Sequence, residues 1–266
     1  MDSAAAGRPG GVSDVRRFPA EVVAALRGAE KVAVLTGAGV SAESGIPTFR
    51  DALSGLWASY DPEELATPRA FRRNPSLVWR WYRERRHRVA ECDPNPGHLA
   101  LARLQDLVPR LTLITQNVDG LHQRAGSREV IELHGNIGRV KCADEDRVVT
   151  EFADTEEPPR CPECGGLLRP DIVWFGELLP PLAIERAQHA AQLADVFLSV
   201  GTSNLVEPAA SLPWMAARSG VLVAVVNTSD EGQGFGPRIH HLLGKSGDVL
   251  PDLVRTAWPA VSIPAR

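Results

Sequence analysis

Cysteine is scarce in this 266-residue chain: four residues, at 92, 142, 161 and 164. With three of the four close together, a disulfide framework is not expected. A reduced, cytoplasmic setting and a metal module fit the pattern better. Lysine is scarcer still, three among 29 basic residues, a bias that codon usage accounts for. Positive charge is not in excess either. The formal net charge is -4, which argues against a nucleic-acid partner. No apolar run approaches the roughly 20 residues that cross a bilayer, so no membrane segment is expected. Residues 1–11 are rich in Ala, Gly and Pro and lack the apolar centre of a signal peptide, and residues 1–18 read as a disordered tail. Internal repeats are absent.

What is present begins with a short apolar run, Lys31-Val-Ala-Val-Leu-Thr36, that feeds directly into a glycine turn. Residues 37–50 read Gly-Ala-Gly-Val-Ser-Ala-Glu-Ser-Gly-Ile-Pro-Thr-Phe-Arg. A strand followed by Gly-x-Gly is how open α/β sheets bring backbone N–H groups to a pyrophosphate, although the same signal occurs in folds that bind no nucleotide. No second strand ending in Asp or Glu follows, as a hydride-transferring dehydrogenase would need. The chain turns instead through Ser44-Gly-Ile-Pro47 into Phe49 and Arg50, a loop placed to lie over a cofactor.

Further along, helical and strand patterns alternate. Helices are expected at 19–27, 62–66, 68–73, 75–89, 98–108, 181–193, 208–218 and 248–255, and strands at 32–35, 111–114, 196–200 and 221–226. The order predicts an α/β fold: a parallel-sheet, Rossmann-like dinucleotide-binding domain carrying a smaller inserted lobe. The large domain takes residues 19–50, 94–138 and 172–258. A helical insertion (51–93) and a cysteine-bearing, zinc-ribbon-like module (139–171) form the small lobe. Gln116-Asn-Val-Asp119 and Gly201-Thr-Ser203 each follow a strand. Ligands of open sheets sit at such strand ends, where polar side chains reach ribose hydroxyls and amides; Asn and Asp there also make plain turns and helix caps.

Six blocks together resemble the sirtuins, NAD-dependent protein lysine deacylases: residues 37–50, Thr115-Gln-Asn-Val-Asp119, Leu133-His-Gly135, Val173-Trp-Phe-Gly-Glu177, Gly201-Thr-Ser203 and Val226-Asn227. They run in family order from about Lys31 to Pro251. The resemblance implies NAD as cofactor, with Gly37, Ala38, Gly39, Ser41, Phe49 and Arg50 in the cofactor loop. It implies Gln116 and Asn117 at the nicotinamide ribose and Asp119 at the carboxamide. Gly201, Thr202 and Ser203 would line the phosphates, Asn227 and Ser229 the adenosine ribose, and Ser246 the adenine. His134 and Asn117 are the implied catalytic residues. In sirtuin chemistry the acyl oxygen attacks the ribose carbon as nicotinamide leaves, and a base then deprotonates a ribose hydroxyl, a task suited to an imidazole. Products are free lysine, nicotinamide and O-acyl-ADP-ribose. Val173, Phe175 and Gly176 would pair with the substrate backbone as an added strand.

Two features refine this expectation. Tyr82 and Arg85, spaced i, i+3 on one helix face, resemble the pair of the sirtuin branch that removes succinyl and malonyl groups; a chance neighbour in an Arg-rich helix is the alternative. The metal module departs from the family pattern. Cys161-Pro-Glu-Cys164 is intact, but the first pair reads Cys142-Ala-Asp-Glu145. Zn2+ held by Cys142, Cys161 and Cys164 with Glu145 or Asp144, a three-cysteine site completed by water, and a metal-free lobe all remain open. The expected partners are acylated lysine side chains of proteins, with preference for succinyl, malonyl or glutaryl groups. Plain deacetylation, mono-ADP-ribosyl transfer and a non-catalytic binding module are the rivals.

Overall fold

The computed structural model describes residues 18–47, 65–153, 157–229 and 239–263. Phe49 and Arg50 lie outside these, as does most of the helix expected at 62–66. In chain order the elements are α1 (Ala20–Gly28), β1 (Lys31–Thr36), α2 (Ala38–Ala42), α3 (Pro68–Arg73), α4 (Pro75–Glu91), α5 (Pro96–Leu104), β2 (Arg110–Thr115), α6 (Leu121–Arg124), β3 (Val130–Glu132), β4 (Gly135–Cys142) and β5 (Leu168–Ile172). There follow α7 (Pro181–Leu193), β6 (Val196–Val200), a 3-10 turn (Ala209–Ser211), α8 (Leu212–Arg218), β7 (Leu222–Asn227), β8 (Ile239–Leu243) and α9 (Ser246–Ala257).

Six strands form one parallel sheet in the order β3-β2-β1-β6-β7-β8. Successive side chains of a strand point to opposite faces, and a sheet covered on both sides buries both sets. Val32 and Val34 of β1 accordingly pack with Leu26, Leu101, Leu104, Leu250 and Leu253 from α1, α5 and α9. Ala33 and Leu35 face Ala187, Ala191, Leu212 and Ala216 from α7 and α8. The central strand is thus apolar at every position but its ends, as its sequence requires.

The remaining elements gather on α3 and α4. Both helices open in the same way: Thr67 accepts the Ala70 N–H at 3.0 Å with Pro68 following, and Asn74 accepts the Leu77 N–H at 3.1 Å with Pro75 following. Proline costs nothing at the first helical position, where the N–H has no partner in the helix. One side of α4 sends Trp81 and Tyr82 into a cluster with Phe71, Ile137, Ile172 and Trp174. Another sends Trp79 against Val140, Cys142, Cys161 and Leu168. β4 and β5 pair antiparallel between these two clusters. β4 begins directly after His134 and ends at Cys142, so one strand runs from the end of the β3 loop to the first cysteine of the cluster.

Candidate active site

The sheet order reverses direction at β1, which pairs with β2 on one side and β6 on the other. Open sheets bind ligands in the crevice beyond such a point. Three loops meet there. The Gly37 N–H donates to the Val200 carbonyl at 3.0 Å, and the Gly39 N–H to the Gly201 carbonyl at 2.8 Å. A Cβ on Gly37 or Gly39 would come within 2.8 Å of the Gly201 carbonyl oxygen. Glycine at both positions is therefore what lets the β1 loop rest on the β6 loop. Ala38, between them, opens α2.

Side chains complete the join. Gln116 donates from Nε2 to Thr202 Oγ1 at 2.9 Å. Asn117 donates from Nδ2 to the Gly37 carbonyl at 3.0 Å and to Ser41 Oγ at 3.1 Å. Ser41 donates in turn to Asp119 Oδ2 at 2.7 Å, while Asp119 Oδ1 accepts the Leu121 N–H at 2.9 Å. Asp119 is thus both a helix cap for α6 and a member of the crevice. Burial raises its carboxyl pKa, against the two hydrogen bonds. Asn227 donates to the Thr202 carbonyl at 3.1 Å, bringing the β7 end to the same place. Ser203 and Ser229 are exposed beside it. Ser246 is buried, its hydroxyl donating to Glu43 at 3.0 Å. Near Thr202, the side-chain amide of Asn204 is buried, and neither of its polar atoms has a partner among the described residues. An unpaired buried amide is costly, and a polar ligand in the crevice would relieve it.

His134 follows β3 and places Nδ1 2.8 Å from the Gln116 carbonyl oxygen. A carbonyl can only accept, so Nδ1 carries the proton and Nε2 keeps its lone pair. Burial lowers the pKa of the ring and the carbonyl restores part of it, for a net shift below the usual 6.5. At neutral pH the side chain is therefore an uncharged base, its tautomer set by the loop that carries Gln116 and Asn117.

Two histidines that sequence reasoning passed over lie behind the crevice. His98 Nδ1 accepts the Asn95 N–H at 3.3 Å within the capping box of α5, which leaves Nε2–H directed at Ser41 Oγ, 3.4 Å away. His122 Nε2 lies 2.9 Å from Thr36 Oγ1, and its buried Nδ1 has no partner among the described residues. The two rings are 4.8 Å apart. Burial pushes His98 down to about 4 and, with the neighbouring His98 adding to it, His122 down to about 3. The capping signature Asn95-Pro96-Gly-His98 was visible; the contact of His98 with Ser41 was not.

Tyr82 and Arg85 occupy one face of α4, as their spacing predicts. Tyr82 is 4% exposed, and burial raises its phenol pKa. Its oxygen accepts the Trp174 indole N–H at 3.0 Å. Arg85 lies over the Trp81 ring, 4.9 Å from the centroid, and burial lowers its pKa. Among the described residues no carboxylate pairs with Arg85, and no acceptor takes the Tyr82 hydroxyl proton. A half-buried cation and a buried donor thus remain uncommitted, three residues apart.

The Val173–Glu177 segment joins these parts. The Val173 N–H donates to the His134 carbonyl at 3.0 Å and the Phe175 N–H to the Ala66 carbonyl at 2.9 Å. The Trp174 N–H goes to Glu177 Oε2 at 2.8 Å. All three N–H groups are committed within the protein, so an added strand would find acceptors here rather than donors. Gly176, at φ +88°, makes the turn that follows.

In the cysteine module, Cys142 Sγ, Glu145, Cys161 Sγ and Cys164 Sγ offer ligand atoms all within 4.8 Å of one another. The Cys142 and Cys164 sulfurs are 3.4 Å apart. Two thiolates on a tetrahedral zinc, each at about 2.3 Å, stand about 3.8 Å apart, whereas a disulfide needs about 2.05 Å. The two halves of the cluster are built alike. The Gly165 N–H donates to the Cys161 carbonyl at 2.9 Å and the Asp146 N–H to the Cys142 carbonyl at 3.1 Å. The residue closing each turn has positive φ, +74° at Gly165 and +53° at Asp146. Glu145 therefore occupies in the first turn the position of Cys164 in the second. Of the two acids considered, the fold brings in Glu145, while Asp144 lies against Gly166. The donor set fits zinc.

These features agree with comparison to known proteins. The profile of the Sir2 family matches residues 37–208. A Pseudomonas aeruginosa protein named NAD-dependent protein deacylase 1 is 51% identical over 247 residues, covering 90% of this chain and 98% of the relative. A Sir2 homolog solved as an NAD complex superposes with a TM-score of 0.84 at 43% identity, covering 92% of this chain and 96% of that one. A Sir2 variant solved with a deacetylated p53 peptide and 3′-O-acetyl ADP ribose gives 0.76 at 31% identity, covering 89% and 97%. The chain belongs to the Sir2 family.

Proposed function

We propose that this chain is an NAD-dependent protein lysine deacylase that prefers acyl groups ending in a carboxylate: succinyl, malonyl and glutaryl. The name of the Pseudomonas relative and the ligands of the solved relatives support the general activity. Gly37, Ala38, Gly39, Ser41, Gly201, Thr202 and Ser203 would cradle the dinucleotide, and Phe49 and Arg50, outside the described residues, keep the cofactor role that the family resemblance implies. Gln116 and Asn117 would hold the nicotinamide ribose and Asp119 the carboxamide. Asn227, Ser229 and Ser246 would serve the adenosine end. Bound NAD supplies the activated ribose carbon to which the acyl oxygen bonds as nicotinamide departs. His134 takes the proton of a ribose hydroxyl on Nε2 while its Nδ1–H stays on the Gln116 carbonyl, so the ring gains a proton without turning. Val173, Phe175 and Gly176 present the peptide. Cys142, Cys161, Cys164 and Glu145 would hold a structural zinc, away from the reacting atoms. The reduced thiols suit a cytoplasmic setting.

The acyl preference rests on one observation: the guanidinium of Arg85 and the hydroxyl proton of Tyr82 have no acceptor among the described residues. A terminal carboxylate would take both, the guanidinium bidentately. The experiment is product formation from matched acetyl-lysine and succinyl-lysine peptides with NAD, read by mass spectrometry. O-succinyl-ADP-ribose and nicotinamide in excess over the acetyl products are expected. Preference for the acetyl peptide would leave a plain deacetylase, and label from NAD retained on protein would indicate ADP-ribosyl transfer.

A further inference from the structure

We infer that Trp174 is a positioning residue for acyl selection, holding Tyr82 so that its hydroxyl proton points at the acyl carboxylate. The inference rests on the acidic-acyl reading above and adds the residue that gives Tyr82 its direction. A phenol can donate one hydrogen bond and accept others, and left alone it rotates to suit. The indole N–H can only donate. At 3.0 Å from the Tyr82 oxygen it therefore occupies an acceptor site, and the Tyr82 proton must point elsewhere. Tyr82 is buried, and no other described residue accepts that proton. The remaining neighbour of opposite need is a ligand acceptor beside Arg85.

The indole is itself fixed from three sides. Arg169 stacks on its ring with the guanidinium carbon 3.4 Å from the centroid. Arg169 is held by two bonds to Glu177, at 2.6 and 2.9 Å, and by one to the Ile172 carbonyl at 2.9 Å. Glu177 Oε2 returns to the Trp174 backbone N–H. Phe71 packs against the ring at 5.3 Å. Trp174, 2% exposed, thus reaches from the Val173–Glu177 segment across to Tyr82 on α4 without itself lining the surface.

The test is Trp174→Phe, which keeps an aromatic ring and removes the N–H, measured with succinyl-lysine and acetyl-lysine peptides alongside Tyr82→Phe and the double variant. The expected result is a rise of about tenfold in KM for the succinyl peptide, with kcat on it and both constants for the acetyl peptide within about twofold. In the Tyr82→Phe background the tryptophan change should add nothing. Equal loss on both peptides, or full effects that add in the double variant, would overturn the inference and leave Trp174 a packing residue. Failure of the underlying reading looks different: wild-type protein would then show no succinyl preference for any variant to lose.

Discussion

At the strand ends, Ser41, Gln116, Asn117 and Asp119 spend their hydrogen bonds on one another and on the loop backbones. On α4, Tyr82 and Arg85 hold a proton and a cation with no acceptor among the described residues. The first arrangement is a frame whose parts define each other's positions before any ligand arrives. The second is a set of uncommitted donors whose energy is recovered only by the right ligand. A reaction shared by many substrates needs the frame, and discrimination among acyl groups needs the uncommitted donors. In the proposed reaction, damage to the frame should lower turnover on every acyl group, and damage to the donors should change only the choice.

The largest effect should come from the frame. His134→Ala removes the one base whose tautomer is set by Gln116, and kcat should fall about 10²–10⁴-fold on acetyl and succinyl peptides alike. The thermal midpoint should stay close to wild type. Loss on one peptide only would dissolve the division between frame and choice.

Next comes the uncommitted cation. Arg85→Met keeps the stem over Trp81 and removes two charge-assisted hydrogen bonds of about 1.5–3 kcal/mol each. Succinyl kcat/KM should fall at least about 100-fold, with acetyl kcat/KM within about twofold. Equal loss on both peptides would return Arg85 to the role of a surface residue.

The frame was largely legible because its parts are punctuated: an apolar strand, then Gly37, Gln116 or Gly201. What escaped was built by partners far apart in the chain. His98 looks like an ordinary helix residue until Ser41, 57 positions earlier, comes within 3.4 Å. Trp174 reads as part of a backbone segment until Tyr82, 92 positions earlier, accepts its N–H. Short strands escaped too. β3 has three residues, and β8, Ile-His-His-Leu-Leu, shows no alternation of apolar and polar positions. α5 begins at Pro96 rather than at residue 98 because the Asn95 cap, not the apolar pattern, sets its start. The expected helix at 208–218 is divided between the 3-10 turn and α8.

The cysteine module offers a smaller effect that leaves both regions untouched. If Glu145 fills the fourth ligand place, Glu145→Cys should hold zinc against a chelator better than wild type and Glu145→Ala worse. The thermal midpoint should follow by about 2–4 °C per kcal/mol, and deacylation at 25 °C should change by less than about twofold. Identical zinc retention in all three proteins would mean that water, not Glu145, completes the site.

The last comparison concerns stability rather than turnover, and it separates the three histidines at the crevice by pH. An unfolded histidine titrates near 6.5, while burial holds His98 at about 4 and His122 at about 3. Between those values the unfolded chain binds protons that the folded chain refuses, so stability is full above about pH 6.5 and falls as pH drops toward 4 and then 3. The slope is up to about 1.4 kcal/mol per pH unit for each ring. Asp119 works in the opposite sense, because its raised pKa favours the fold at lower pH, and the measured slope should be shallower than two histidines alone would give. His134 also shifts downward, but the Gln116 carbonyl opposes its burial, whereas His122 has no partner at Nδ1 among the described residues. His134 can therefore accept a proton in turnover while the pair behind it stays neutral. Thermal unfolding from pH 7.5 to 4.5 should show a midpoint that declines below about 6.5, and His122→Gln should flatten the decline. A midpoint that is level between pH 6.5 and 5 would mean that His98 and His122 take up protons without loss, and the frame would then be less rigid than its hydrogen bonds require.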